Sequence, residues 1–304
     1  MNKYALLESV QRLYKESNVN IIQYLKKITN SNLNSIEDIM IAYDFQAGTY
    51  AEDYKSNSAW KIKFLSRLVQ IFGELPGRKK TVFEAGVGEA TTLVPFINEL
   101  HKDVCAGGGD ISWSRVKVGQ AFAKEYLKSE INGVRLAMTD MFSLPLANDS
   151  VDVVYTVHAI EPNGGHEAEI LQELYRVANE YLILLEPAYE LAGEEARQRM
   201  EQNGYVRELY KTAKDLGYDV LTWELYGISQ NPLNPTGLMI IRKKPKENAP
   251  RTLEFVCPLT KGKLEPVGNV FYAKNSLLAY PVLNGVPCLI SDYAVVATKL
   301  ADFN

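Results

Sequence analysis

The chain has 304 residues, of which 46% are hydrophobic, so it can bury one large core and still carry a small additional unit. Its 33 basic and 37 acidic residues give a formal net charge of −4, which disfavours a general nucleic-acid-binding surface and leaves only a local patch for such a partner. The three cysteines, Cys105, Cys257 and Cys288, are too far apart for a disulfide framework and favour a reducing compartment.

No stretch of the sequence approaches the roughly 18 uninterrupted apolar residues that a membrane span requires. Residues 1–10 include Lys3 and Glu8 and lack the apolar centre of a signal peptide. We therefore expect a cytoplasmic protein with a small-molecule substrate and no membrane partner. Nucleic acid is the less favoured partner, and the sequence indicates no oligomeric state.

The N-terminal region is predicted to form a helical cap. Apolar residues recur at helical spacing over residues 6–28, with an interruption around 16–20, and again over residues 36–43. The segment from Tyr43 to Tyr50 is aromatic and polar and has a poor helical pattern. We place this helical N-terminal cap at residues 1–58.

Helices and strands are predicted to alternate over residues 59–244. The predicted helices cover residues 60–72, 91–100, 114–127, 167–178 and 194–216. The predicted strands lie near residues 82–85, 104–110, 133–138, 151–157, 181–187, 220–225 and 236–242. This alternation predicts an α/β fold with a mostly parallel, seven-stranded sheet and helices on both faces. Residues 243–251 are charged and contain proline, which indicates a linker, so residues 245–304 form the linker and a small β-rich C-terminal unit.

A glycine turn after the first predicted strand is the strongest indication of a ligand site. Gly86 and Gly88 lack a Cβ, so the backbone there can adopt positive φ and approach a bound molecule. The next strand ends in Asp110, roughly 20 residues further on, where such folds hold a ribose. The third glycine of a dinucleotide motif is absent, since Thr91 occupies its place, and Glu89 would oppose a pyrophosphate. The pattern favours a cationic cofactor over an anionic one.

These residues resemble the class I (Rossmann-like) S-adenosylmethionine-dependent methyltransferases. The first motif of that family, an acidic residue followed by Gly-x-Gly-x-Gly or Gly-x-Gly-x-Ala, is matched by Glu84, Gly86, Gly88 and Ala90. Its Gly-x-Asp-x-Ser turn is similar to residues 108–112. Further segments that resemble family motifs are residues 139–146, 149–155 and 181–187. The resemblance covers roughly residues 42–244.

The resemblance implies S-adenosylmethionine as cofactor, S-adenosylhomocysteine as product, and no metal. The residues expected to bind the cofactor lie at strand ends or in the N-terminal segment: Tyr43, Tyr50, Glu84, Gly86, Gly88, Asp110, Ile111, Ser112, Asp140, Met141 and Thr156. Glu84 and the glycine turn are expected to hold the methionine end, Asp110 the ribose, Ile111 or Ser112 the adenine edge, and Asp140 with Met141 the adenine amine. The segment from Tyr43 to Tyr50 resembles a gate over the methionine end, or it is a loop whose aromatic rings fill the core.

The acceptor side is expected beyond the fourth predicted strand, where open α/β sheets bind ligands. His158 is the candidate general base because its unperturbed pKa lies near neutrality, and Glu161 is placed to orient it or the substrate. A structural histidine is the alternative. The expected substrate-binding residues are Asn163, Asn231 and Asn234; the alternative is that they satisfy turns.

The C-terminal residues 257–264 and 277–287 resemble a family of small zinc-ribbon-like proteins that activate tRNA and translation-factor methyltransferases. Thr260 stands where that family has a second cysteine, and Lys274 follows Ala273 where another is expected. Tetrahedral zinc needs about four nitrogen or sulfur ligands. We therefore expect a metal-free unit that packs on the main domain.

The favoured function is methyl transfer to an oxygen or nitrogen of a small polar metabolite or sugar-type intermediate. One alternative is a methyltransferase of a macromolecule, tRNA or protein, with a built-in activator unit. Another is a non-catalytic protein that binds the cofactor. The sequence does not identify the acceptor atom.

Overall fold

The computed structural model describes residues 2–17, 19–31, 33–56, 59–129, 131, 133–246 and 253–303. The α-helices are α1 (Leu7–Ser17), α2 (Ile21–Thr29), α3 (Ile36–Phe45), α4 (Thr49–Lys55), α5 (Ala59–Glu74), α6 (Leu93–Asn98), α7 (Trp113–Tyr126), α8 (Glu167–Val177), α9 (Glu194–Asn203) and α10 (Leu209–Asp215). The strands are β1 (Thr81–Ala85), β2 (Cys105–Asp110), β3 (Val134–Thr139), β4 (Val151–Val157), β5 (Ala178–Pro187), β6 (Asp219–Leu225), β7 (Thr236–Arg242), β8 (Glu265–Val267), β9 (Val270–Ala273), β10 (Leu278–Leu283), β11 (Val286–Leu289) and β12 (Val295–Val296). Short 3₁₀ helices cover Lys3–Leu6, Tyr189–Leu191, Ser291–Tyr293 and Leu300–Phe303.

The strands form one twelve-stranded sheet in the order β6-β7-β5-β4-β1-β2-β3-β11-β10-β9-β8, with β12 paired to β10. β1 to β5 pair in parallel, whereas β7 is antiparallel to both β5 and β6. The prediction of a seven-stranded, mostly parallel sheet is therefore wrong, because β8 to β12 of the C-terminal unit join the same sheet and pair with one another in antiparallel register. β3 would otherwise end the sheet with unpaired backbone groups, and β11 covers it in parallel register, Cys288 opposite Met138 and Leu289 opposite Thr139.

Helices cover both faces of the main sheet, in agreement with the predicted α/β class. One face packs on α5, α6 and α7 through buried residues such as Leu68 and Phe96. The other packs on α8 and α10 through residues such as Ile170 and Leu209. The strands of the parallel core are buried on both faces, which explains their nearly continuous apolar sequences.

The N-terminal cap consists of α1 to α4 and has a small core of its own around Val10, Leu25 and Ile41. The segment from Tyr43 to Tyr50 differs from its predicted non-helical form. Tyr43 lies in the last turns of α3 and Tyr50 in the first turn of α4, with Gly48 at φ 102° between the two helices. The helical pattern over residues 36–43 agrees with α3, whereas α4 has only seven residues and was not predicted.

The predicted helix over residues 194–216 is two helices, α9 and α10. Gly204 ends α9 in the left-handed conformation at φ 69°, and its N–H donates to the carbonyls of Met200 and Glu201. The predicted linker falls largely on residues 247–252, which lie outside the described residues.

The C-terminal unit, β8 to β12, packs Cys257, Tyr280 and Leu289 against Ala137 of β3. Three side chains of α7 hold the turn between β10 and β11: those of Trp113, Lys117 and Gln120 donate to the carbonyls of residues 283, 284 and 285. This unit therefore extends the main sheet instead of standing apart from it. Within the described residues, no helix has the length and apolar content needed to cross a membrane.

Candidate functional site

A cavity of about 410 Å³ lies at the carboxyl ends of β1 to β4, between the sheet, the N-terminal cap and the loop of residues 228–234. Its volume is in the range of small-molecule sites. Most of the site residues predicted from the sequence line it: Tyr43, Tyr50, Glu84, Gly86, Gly88, Asp110, Ile111, Asp140, Met141, His158, Glu161, Asn163, Asn231 and Asn234. We call it the cofactor cavity.

The glycine turn forms one wall of the cofactor cavity. Gly86 and Gly88 have φ of 75° and 52°, which other residues rarely adopt. A Cβ added to Gly86 would lie 2.1 Å from the Cβ of Ala159, so there is no room for a side chain. The N–H groups of Gly86 and Val87 donate to the carbonyl of Gly109 at 2.8 and 3.0 Å, which fixes the turn against β2.

Asp110 sits beside this turn, at the end of β2. Its Oδ2 accepts a hydrogen bond from the N–H of Gly88 at 2.9 Å, and its Oδ1 accepts one from the N–H of Ser112 at 2.9 Å. Burial raises the pKa of Asp110 and outweighs the opposing effects of Arg115 and the two N–H groups. Each oxygen retains a lone pair, so the carboxyl group can accept further hydrogen bonds from a ligand.

Glu84 lies on β1 and is 2% exposed. The hydroxyl of Tyr155 donates to its Oε2 at 2.7 Å. Burial raises the pKa of Glu84 to about 8, because it outweighs the stabilising hydrogen bond from Tyr155. Near neutral pH this side chain is therefore mostly uncharged.

Two predicted cofactor residues, Ser112 and Thr156, are not among the described residues that line the cavity. Ser112 caps α7: its Oγ accepts the N–H of Arg115 and donates to Asp44 at 2.8 Å. Thr156 is fully buried within β4. The positions of these two residues next to the correct strand ends do not bring their side chains into the cavity.

Three polar residues that were not predicted to be site residues, Glu89, Asp44 and Arg115, shape the same region. Glu89 accepts the N–H groups of Gly48 and Ala51 at 2.9 and 2.7 Å, and so caps the start of α4. Its carboxylate therefore serves the N-terminal cap, which the local sequence does not reveal. Asp44 accepts the N–H and Oγ of Ser114 as well as Ser112.

Arg115 is the third of these residues and is 7% exposed. Its guanidinium lies 4.3 Å from the ring centre of Tyr43 and 4.8 Å from that of Tyr50. Its Nε also donates to the carbonyl of Tyr43. Arg115 thus fixes both aromatic rings of the N-terminal segment at the cavity wall.

His158 and Glu161 form a hydrogen-bonded pair on the wall beyond β4. His158 has φ of 50°, its Nδ1 lies 2.7 Å from Oε2 of Glu161, and its Nε2 lies 2.8 Å from Oγ1 of Thr236. Glu186 supports the turn by accepting the N–H groups of Ala159 and Glu161 at 3.0 and 3.2 Å. Burial raises the pKa of Glu186 to about 7.

The pKa values of this pair move in opposite directions. Burial alone would lower the pKa of His158, but the hydrogen bond and charge of Glu161 outweigh it and raise the pKa. Burial would raise the pKa of Glu161, but His158, Asn234 and Tyr205 outweigh it and lower the pKa. The pair therefore favours an ionised carboxylate next to the imidazole.

The three predicted substrate asparagines line the cavity but differ in what they bind. Asn234 Nδ2 donates to Oε2 of Glu161 at 3.0 Å. Asn231 Oδ1 accepts the N–H of Leu233, and Asn163 Nδ2 donates to the carbonyl of Ile160. Asn231 and Asn163 therefore make turn contacts, which was the alternative interpretation.

No group of three or more His, Cys, Asp or Glu side chains among the described residues is arranged to hold a metal ion.

In the C-terminal unit, Sγ of Cys257 accepts the N–H of Thr260 at 3.4 Å and lies 3.2 Å from the hydroxyl of Tyr280. Burial opposes ionisation of this thiol, but hydrogen bonds from these residues and Ser276 outweigh it and lower the pKa to about 7.

No family model matches the chain. Among solved structures, it is similar to a geranyl diphosphate C-methyltransferase from Streptomyces coelicolor, at 12% identity and a TM-score of 0.46, over 58% of this chain and 77% of that one. It is also similar to a SAM-dependent methyltransferase from Aquifex aeolicus, at 15% identity and a TM-score of 0.47, over 63% and 97%. A magnesium protoporphyrin IX methyltransferase from Synechocystis, with bound SAH, matches at 17% identity and a TM-score of 0.46, over 78% and 99%.

Two curated proteins share closer sequence similarity over a short stretch. They are UPF0434 proteins from Sinorhizobium medicae and Rhizobium meliloti, each 46% identical over 44 residues. The match covers 14% of this chain and 71% of each relative. Through these 44 residues, the chain belongs to the UPF0434 protein family.

Proposed function

We propose that the protein is an S-adenosylmethionine-dependent methyltransferase that acts on an oxygen or nitrogen of a small polar molecule. The observation that carries the proposal is the glycine turn closed against Asp110 at the edge of the cofactor cavity. Gly86 leaves no space for a Cβ, and Gly88 donates its N–H to the same carboxyl group that faces the cavity. A turn of this kind brings bare backbone and a hydrogen-bond acceptor to one ligand.

The residues around the turn fit this cofactor. Four acidic side chains line the cofactor cavity on the side of β1 to β3: Glu84, Glu89, Asp110 and Asp140. A sulfonium is cationic and favours the ionised form of these carboxyl groups, whereas a pyrophosphate would be repelled by it. In this proposal Asp110 accepts hydrogen bonds from the two ribose hydroxyls and Asp140 accepts one from an amino group of the base, and the remaining acceptor capacity of both carboxyl groups supports these roles.

When bound, S-adenosylmethionine supplies an activated methyl group, so the protein mainly has to orient the acceptor and exclude water. Tyr43 and Tyr50, held by Arg115, close the cavity toward the N-terminal cap. His158 is the candidate base for an acceptor that carries a proton. Nε2 of His158 now lies beside the hydroxyl of Thr236. The hydroxyl of the acceptor reaches Nε2 by taking the place of the Thr236 hydroxyl.

We assign the UPF0434 match to the C-terminal unit, whose residues 257–264 and 277–287 carry the resemblance described above. The contacts of this unit support a positioning role. Ser143 Oγ donates to the carbonyl of Pro258, and Lys261 Nζ donates to the carbonyl of Leu144. These bonds hold the loop that carries Asp140 and Met141 into the cofactor cavity.

Isothermal titration calorimetry with S-adenosylmethionine, S-adenosylhomocysteine and NAD tests the proposal. We expect saturable binding of the first two and none of comparable strength for NAD. Tighter binding of NAD, or no binding of either sulfur compound, would contradict the proposed function.

A further inference from the structure

A second cavity, of about 590 Å³, adjoins the cofactor cavity beneath the N-terminal cap. Five residues line both cavities: Tyr43, Tyr50, Asp53, Glu161 and Gln230. The rest of the wall comes mainly from α2, from the turn between α3 and α4, and from the end of α9. A molecule in the second cavity therefore reaches Glu161 without contacting the glycine turn.

The second cavity is lined by groups that both donate and accept hydrogen bonds. Six carboxamide side chains contribute to it: Asn20, Gln23, Asn34, Gln46, Asn203 and Gln230. Four tyrosines and a threonine add hydroxyl groups. Carboxamides and hydroxyls are matched by ligand hydroxyls, which also donate and accept.

The charges on the wall disfavour an ionic ligand. Lys26 is the one cationic side chain among the described residues that line the second cavity, against the carboxylates of Asp53 and Glu161. Asp53 is paired with Lys61 at 2.5 Å. The carboxylate of Glu161 repels an anion. It does not attract a cation strongly either, because His158 and Asn234 already bind it.

We propose that the second cavity binds the methyl acceptor and that this acceptor is a neutral, polyhydroxylated molecule of the sugar or cyclitol class. This rests on the proposed function. Gln23 Nε2 donates to Oδ1 of Asn203 at 3.3 Å, a bond that joins α2 to α9. A ligand hydroxyl is placed to bind these same two groups, while a second hydroxyl passes the shared wall and lies beside Glu161.

Saturation-transfer difference NMR tests the proposal on the full chain with S-adenosylhomocysteine present. The probes are D-glucose and myo-inositol, with glucose 6-phosphate and glucosamine as charged counterparts. We expect saturation transfer to the neutral probes, with affinity about fivefold weaker in Gln23→Leu, because a hydrogen bond contributes roughly 1 kcal/mol. Gln198→Leu is the matched control, since Gln198 lies on α9, pairs with Glu194 and lines neither cavity.

A second variant guards against an indirect effect of Gln23. Thr49 lines the second cavity only and is exposed, so Thr49→Trp should fill that cavity and abolish the signal while calorimetric binding of S-adenosylhomocysteine is unchanged. The proposal is overturned if neither neutral probe receives saturation, or if both variants leave the transfer intact. It is also overturned if glucose 6-phosphate binds in preference to the neutral probes and Lys26→Met abolishes that binding. Failure of S-adenosylhomocysteine to bind would instead remove the methyltransferase function, while the sugar signal would still be scored.

Discussion

Each side of the cofactor cavity carries a glutamate that is at least partly buried, and the pKa values of the two are shifted in opposite directions. Glu84, on the side of the glycine turn, is 2% exposed, and the side chain of Glu161, on the acceptor side, is 13% exposed. Burial raises the pKa of Glu84 to about 8, whereas the pKa of Glu161 lies below its ordinary value. Burial therefore does not decide the charge of a carboxyl group in this cavity.

The hydrogen-bond donors around each carboxyl group explain the difference. Glu84 has one side-chain donor, Tyr155, and the carboxyl group of Asp110 nearby raises its pKa further. Glu161 receives hydrogen bonds from His158, Asn234 and Tyr205, and the charge of His158 in its protonated form lowers the pKa of Glu161 further. The cofactor side is thus ready to become charged when a cation arrives, and the acceptor side is charged beforehand.

The largest expected effect comes from replacing Glu84. Its pKa is raised in the folded state, so the protonated form stabilises the fold below about pH 4.5, and that stability is lost as pH rises through about 8. Glu84→Gln should remove this loss, which amounts to about 3 to 5 kcal/mol. Urea unfolding without cofactor at pH 5 and pH 8.5 measures it. The exposed Glu99 gives the control Glu99→Gln, and equal pH dependence in wild type and Glu84→Gln would show that Glu84 is ionised throughout.

Replacing His158 tests the acceptor side at the next level of effect. Because His158 has φ of 50°, asparagine is a better probe than alanine, since it tolerates this conformation. His158→Asn should lower turnover about 10²-fold and leave binding of S-adenosylhomocysteine unchanged. His166→Asn is the control, because His166 is exposed and pairs with Glu169. Normal turnover in His158→Asn would assign His158 a structural role.

Asp110→Ala should weaken both S-adenosylmethionine and S-adenosylhomocysteine by about 2 kcal/mol, close to 30-fold, because two hydrogen bonds to a carboxylate are lost. Calorimetry on both compounds checks this, with Asp103→Ala as a control at an exposed position just before β2. If the variant binds as tightly as wild type, other residues hold the ribose and the assignment of Asp110 to the cofactor is wrong.

Most of the site residues predicted from the sequence line the cavity because their signals are local. Gly86, Asp110 and His158 follow predicted strands directly, and the carboxyl ends of parallel strands meet at one edge of a sheet. The helix α4 was missed because it has only seven residues and a polar, aromatic sequence, and the break at Gly204 was missed because it is a turn within an otherwise helical pattern.

The remaining features depend on partners distant in sequence. Glu89 caps a helix that begins some 40 residues earlier, and Ser112 turns to Asp44 instead of the cavity. The pairing of β11 with β3 joins residues about 150 positions apart, so no local sequence pattern predicts a twelve-stranded sheet. Arg115 belongs to no motif that the sequence analysis recognised. Its position about one turn after Asp110 was the one local indication that its guanidinium lies near the site.

The smallest expected effect removes one of the three donors that keep Glu161 ionised. Asn234→Leu deletes the 3.0 Å hydrogen bond to Oε2 and makes Glu161 more like Glu84, so the pKa of Glu161 should rise. Carbon-13 NMR titration of the glutamate side-chain carboxyl groups should show the Glu161 signal titrating at higher pH in Asn234→Leu than in wild type, because its carboxylate form has lost one hydrogen-bond donor. Asn231→Leu is the matched control, since Asn231 makes only a turn contact with Leu233. A Glu161 signal that titrates at the same pH in Asn234→Leu and wild type would mean that His158 and Tyr205 alone keep Glu161 ionised, and that the number of donors does not set the difference between the two glutamates.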